Sequence, residues 1–158
     1  MTEALPVPKQ VRDVLSDLLG REVTVNITDP PSADQPVVAV YQHNDTKLAG
    51  VIGFTLQLAA NTAAATGLVP PGGAEACVED GELSPLLTDI LGEVCNILTG
   101  LFNTAGGPHV KFHELHTDAG SVPSDARSHL ASLGGRLDLT VDIGGYKGGT
   151  LSIVVPLI

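Results

Sequence analysis

Four residues in one stretch of the chain, Asp89, Glu93, Asn96 and Gly100, follow the spacing i, i+4, i+7, i+11. At about 100° per residue a helix gathers them within about 60° of one another. No basic residue lies between Ser84 and Phe102 to neutralise the two acids. The stripe therefore offers two carboxylates and a carboxamide to whatever meets it. A carboxylate accepts charge-assisted hydrogen bonds from a cationic side chain. A carboxamide carries a donor and an acceptor on one rigid plane, so it can orient a water without taking its proton. A helix face that is merely wet is normally built from Glu, Lys and Arg at pairing distances. Asn competes for backbone bonds in mid-helix, and Gly costs about 1 kcal/mol relative to Ala there. Both choices favour a face kept for contact.

The helix that must carry the stripe is legible on its own. Ser84 can cap it, Pro85 is the favoured first helical residue, and apolar residues run on to Phe102. Leu87, Ile90, Leu91, Val94, Leu98 and Leu101 fall on the side opposite the stripe and form its core face. Upstream, Val11, Val14, Leu15 and Leu18 predict a first helix over 8–19, closed by Gly20. Strand-like runs follow at 22–27, 36–42 and 48–55, and the Ala-rich 56–66 favours helix. The Gly, Pro and acid-rich 67–83 breaks every period and is expected to be a connector between two halves. After the stripe helix come a strand at 109–117, a short helical turn at 125–133, and two strong strands at 136–143 and 150–157.

The order is thus helix and three strands, twice. The third strands share a start, Gly50-Val51-Ile52-Gly53-Phe54 against Gly149-Thr150-Leu151-Ser152-Ile153. The expected fold is α/β of the two-layer α+β kind, with duplicated helix–three-strand halves and long helices on one face of a mostly antiparallel sheet. The apolar run Thr150–Ile158 near the chain end is expected to be a sheet edge, on which a second copy could pair to give a homodimer.

Asp89-x-x-x-Glu93-x-x-Asn96 resembles the Asp/Ser-x3-Glu-x2-Asn signature of the CheC/CheX response-regulator phosphatases of chemotaxis. The chain is similar in length to CheX and has that family's helix–strand order, so the resemblance spans nearly all of residues 1–158, taken as one domain. It implies a cytoplasmic hydrolase of two-component signalling that removes phosphate from the aspartate of a CheY-like receiver domain. In that role Asn96 orients the attacking water, Glu93 reaches the receiver's active-site Lys, and Asp89 and Gly100 contact the partner. The chain needs no metal or cofactor of its own, because the receiver brings Mg2+. The first helix offers Asp13 and Asp17 but no Glu-x-x-Asn, which makes the chain similar to single-site CheX. The family pattern continues to a downstream Pro; here Pro108 comes early, Pro123 slightly late, and the helix ends sooner. The alternative is a member of the same fold that binds a receiver or another signalling protein without hydrolysis.

Composition narrows the field further. A formal charge of −10 disfavours polyphosphate backbones and anionic lipid, and 3% aromatic content leaves few stacking platforms. Cys77 and Cys95 fit no zinc spacing, and the N-terminus has no basic-then-apolar leader, so a reducing cytoplasm is expected. The uncharged stretch from Lys47 to Glu75 has bilayer length, but Gln57, Asn61 and Pro70-Pro71 interrupt it. On an ideal strand His109 and His113 share a face while His116 points away, so no metal site is expected. Cys95 is expected to pack, half-buried, rather than act as a nucleophile.

Overall fold

The computed structural model describes residues 5–29, 35–103, 109–131 and 135–156. In chain order the elements are α1 (Pro8–Leu19), β1 (Val23–Ile27), β2 (Val37–His43), β3 (Leu48–Phe54), α2 (Leu56–Thr66), α3 (Pro71–Asp80), α4 (Pro85–Ile97), β4 (Val110–His116), α5 (Ser124–Ala131), β5 (Arg136–Ile143) and β6 (Gly149–Val154). A 3-10 turn, Leu98–Leu101, continues α4. The strands form one six-stranded sheet in the order β1-β5-β6-β3-β2-β4. Every neighbouring pair is antiparallel.

That order carries the duplication. Exchanging each strand of the first half with its counterpart in the second (β1 with β4, β2 with β5, β3 with β6) returns the same order read from the other edge. The first strand of each half lies against the second strand of the other, so the halves are interlocked. Gly53 faces Ser152 across the central pair, and the alignment of the two third strands matches the same two residues. A pseudo-twofold axis must pass there.

Two sequence expectations change. The apolar C-terminal strand is no edge: β6 pairs with β5 on one side and β3 on the other. Its hydrophobicity reflects burial on both faces in mid-sheet, which removes the ground for pairing with a second copy through it. The edges are β1 and β4. The connector also contains a helix, α3, begun by Pro71 at its first position and ended by Gly81 with φ 77°. Its Gly72-Gly73 pair hides the helix from a propensity reading, while Ala74 and Cys77 bury against the core. Tertiary packing decides its conformation.

Helices α1 to α4 cover one face of the sheet around a core that includes Val11, Leu15, Leu58, Leu91, Ile52 and Ile153. The short α5 covers part of the opposite face, where Ala126 and Val122 meet Val38, Val40, Val51 and Val154. On that side lies a buried ion pair. Arg136 donates to both oxygens of Asp138 at 2.8 Å, and Ser152 Oγ donates to Asp138 Oδ1 at 2.6 Å. Burial raises the Asp138 pKa, but the Arg136 and Ser152 hydrogen bonds and the guanidinium charge outweigh it and hold the carboxyl below its ordinary 3.8. A depressed carboxylate pKa stabilises the fold above the unfolded-state value, and that stability is lost as pH falls through the folded value. Thermal unfolding followed against pH is therefore expected to show an acid limb below about pH 4. Ser152→Ala should cost about 1.5 kcal/mol at neutral pH and flatten that limb; an unchanged limb would assign the acid transition to other carboxylates.

Candidate functional site

Helix α4 starts as its residues dictate. Ser84 Oγ accepts the Leu87 N–H at 3.2 Å, and Pro85 occupies the first turn. Leu87, Leu91, Val94 and Cys95 are buried against the sheet and neighbouring helices, while Ile90 is half-buried. Gly67 at the end of α2 lets that helix close on α4, since a Cβ there would lie 2.5 Å from Ile90 Cδ1.

Asp89, Glu93, Asn96 and Gly100 are all exposed. Among the described residues none of the first three side chains makes a hydrogen bond or an ion pair. The contrast with α1 is direct: there Asp13 is held by Lys9 at 3.1 Å and by Arg12 at 3.2 Å. Two acids and an amide on α4 are thus left with their full bonding capacity facing outward. Regular α winding stops at Ile97, short of the expected Phe102, so Gly100 sits in the 3-10 turn. A Cβ at Gly100 would meet nothing within 4 Å, so the chain's own packing does not call for glycine there.

Two further residues of this face lie outside the polar pattern. Leu86 is 60% exposed and Ile97 52% exposed. On the helical wheel both lie within about 80° of Asp89, on the Glu93 side of the stripe. They give the polar stripe an apolar shoulder. The signal was available as two large aliphatics displaced from the core face.

The other candidates resolve as follows. Cys95 is fully buried rather than half-buried, and burial pushes its thiol up to about 12 against a smaller lowering by Tyr41, which leaves no thiolate for nucleophilic chemistry. A bulge in β4, where Val40 pairs with Glu114 and Tyr41 with Phe112, leaves His113 unpaired. His113 and His116 both approach Glu114, the former at 3.3 Å, whereas ideal alternation placed His113 with His109. Among the described residues no group of three or more His, Cys, Asp or Glu side chains is placed to hold a metal ion. No described helix is long and apolar enough to cross a membrane. Pro123 directly precedes α5, its carbonyl accepting from Arg127 N–H at 3.0 Å; Pro108 lies outside the described residues.

No protein-family profile matches the chain, and no curated protein matches its sequence. Solved structures do match. The middle domain of FliM from Vibrio alginolyticus superposes with a TM-score of 0.60 at 13% identity, over 94% of this chain and 87% of that one. A CheX–CheY–BeF3–Mg2+ complex from Borrelia burgdorferi matches with a TM-score of 0.54 at 17% identity, over 92% of each chain. The chain has the CheC/CheX fold. FliM in a FliG–FliM complex from H. pylori gives a TM-score of 0.62 at 13% identity, over 95% and 86% of the two chains. The backbone thus reaches the CheC/CheX fold by a route independent of Asp89, Glu93 and Asn96. Identities this low establish the fold, and the work of this particular helix has to be argued from its side chains.

Proposed function

We propose that the chain is a CheX-like phosphatase of a cytoplasmic two-component circuit, acting on the aspartyl phosphate of a CheY-like receiver domain. The observation that carries this is the stripe itself: Asp89, Glu93 and Asn96, exposed on α4 of a CheC/CheX fold and without a partner among the described residues. An aspartyl phosphate is an activated acyl phosphate, so its hydrolysis chiefly needs a water held in line with the P–O bond. Asn96 is the group for that task. Its amide holds the water, whose oxygen bonds to phosphorus as the bond to the aspartate oxygen breaks. The products are inorganic phosphate and the restored carboxylate, and the water's protons stay with phosphate and solvent. Mg2+ belongs to the receiver in this scheme, as the Borrelia complex, which carries BeF3 and Mg2+ with CheX and CheY, suggests. Glu93, one turn before Asn96, takes the receiver's cationic side chain, and Asp89 and Gly100 border the contact.

Leu86 and Ile97 extend the contact with apolar surface. Each loses area to water at about 25 cal/mol per Å² when covered, but only the surplus over ordering costs appears as affinity. Leu86→Ser and Ile97→Ser are each expected to weaken receiver binding by about fivefold, roughly 1 kcal/mol, with kcat unchanged. Titration calorimetry against a BeF3-activated receiver measures this; unchanged affinity in both variants would take the apolar shoulder out of the interface.

The FliM structures favour a second reading, a binding module without turnover, since FliM occurs there in complexes with FliG and with SpeE. Timed phosphate release from a panel of acyl-phosphorylated receivers separates the two. Release faster than spontaneous decay for at least one receiver is expected of the phosphatase. Binding with decay at the spontaneous rate throughout would leave the binding module.

A further inference from the structure

Beneath the C-terminal end of α4, the Tyr41 hydroxyl donates to the Cys95 carbonyl at 2.6 Å. That carbonyl belongs to the peptide group whose nitrogen is Asn96's. It is one of the last four carbonyls of α4, where the helical ladder runs out of partners and the winding tightens from α to 3-10. The Tyr41 ring is fully buried, with its centroid 4.5 Å from that of Phe102 and 5.6 Å from that of Phe112. Of the chain's two Tyr and three Phe, three meet at this point. Gly50 of β3 makes room for them, because a Cβ there would lie 2.5 Å from Phe102 Cε1. Burial keeps the phenol protonated, with its pKa well above the ordinary value, so it remains a donor.

We propose that Tyr41 is a positioning residue: its hydroxyl, carried on β2, sets the Cys95–Asn96 peptide plane and with it the direction in which Asn96 presents its carboxamide. This rests on the phosphatase function proposed above. The last turn of a helix frays when its carbonyls lack partners, and Asn96 occupies that turn. A reacting group displaced by about 1 Å can lose up to a hundredfold in rate. Glu93, one turn earlier, is less exposed to fraying, so docking should be indifferent to the hydroxyl.

Tyr41→Phe removes the donor and keeps the ring. The variant is expected to fold, to bind a BeF3-activated receiver as the wild type does, and to lose about tenfold or more in kcat with KM unchanged. Its Asn96 side-chain amide resonance in a 1H–15N spectrum should shift or broaden. Phe112→Leu is the companion variant, loosening the same cluster while leaving the hydroxyl bond; it should lower thermal stability and leave kcat intact. Unchanged kcat in Tyr41→Phe, an unmoved Asn96 resonance, or an equal loss of kcat in Phe112→Leu would each overturn the positioning role. If Tyr41→Phe is too unstable to purify, 15N relaxation of the wild-type Asn96 side-chain amide decides: it is expected to be ordered, and a freely rotating amide would overturn the positioning role. If the wild-type protein hydrolyses no receiver phosphate, the phosphatase function falls, and the Asn96 resonance still decides whether the hydroxyl orients the side chain.

Discussion

Asn96→Ala is expected to reduce receiver dephosphorylation by about a hundredfold or more while leaving most of the binding. The amide is exposed and makes no bond within the described chain, so its removal takes away no packing and no internal hydrogen bond. Alanine is a better helix former, and α4 should be slightly stabilised by a few tenths of a kcal/mol. A fall in activity therefore cannot be put down to unfolding. Because the water is held only as the in-line geometry forms, the loss should appear in kcat rather than KM. Asn96→Asp is the sharper companion, since it keeps the shape and replaces the amide donor with a negative charge facing a phosphoryl group. It should be at least as inactive as the alanine variant. The assay is phosphate release from an acyl-phosphorylated receiver with Mg2+, read beside spontaneous decay. Wild-type rates in Asn96→Ala would end the role given to the amide.

The elements were legible wherever one periodicity ruled. α1 and α2 begin and end where Val11, Leu15, the Gly20 stop and the Ala-rich 56–66 place them, and β5 spans the expected 136–143. Legibility failed where structure depends on partners distant in sequence. Helix α3 contains Gly72 and Gly73 and is held through Ala74 and Cys77 packing on the core, which no local window displays. A centre strand and an apolar edge strand look alike in sequence, and only the pairing of β6 with both β3 and β5 places it in mid-sheet. The bulge at His113 turned the expected alternation of β4. At the candidate site the outward stripe was legible because exposure follows the helical period. Tyr41 was not, for its bond to the Cys95 carbonyl joins residues 54 apart in the sequence.

Glu93→Ala is expected to act on the other half of the proposed chemistry, raising KM and the dissociation constant by roughly thirtyfold, about 2 kcal/mol. In the free chain Glu93 is exposed and pairs with none of the described residues. In the complex it is covered together with the cation it meets, and removing the carboxylate leaves that cation buried without a partner. Most of the loss is this stranded charge. It follows that Glu93→Gln, which keeps the length and an acceptor oxygen, should lose less than alanine, and that raising salt should weaken wild-type binding more than binding by either variant. At saturating receiver, kcat should stay within about threefold of wild type, because Asn96 and its water are still present. Surface plasmon resonance with a BeF3-activated receiver at two salt concentrations measures all three forms. Equal affinities, or equal salt slopes, would mean that Glu93 meets no cation, and docking would then have to be carried by Asp89 and the apolar shoulder of Leu86 and Ile97.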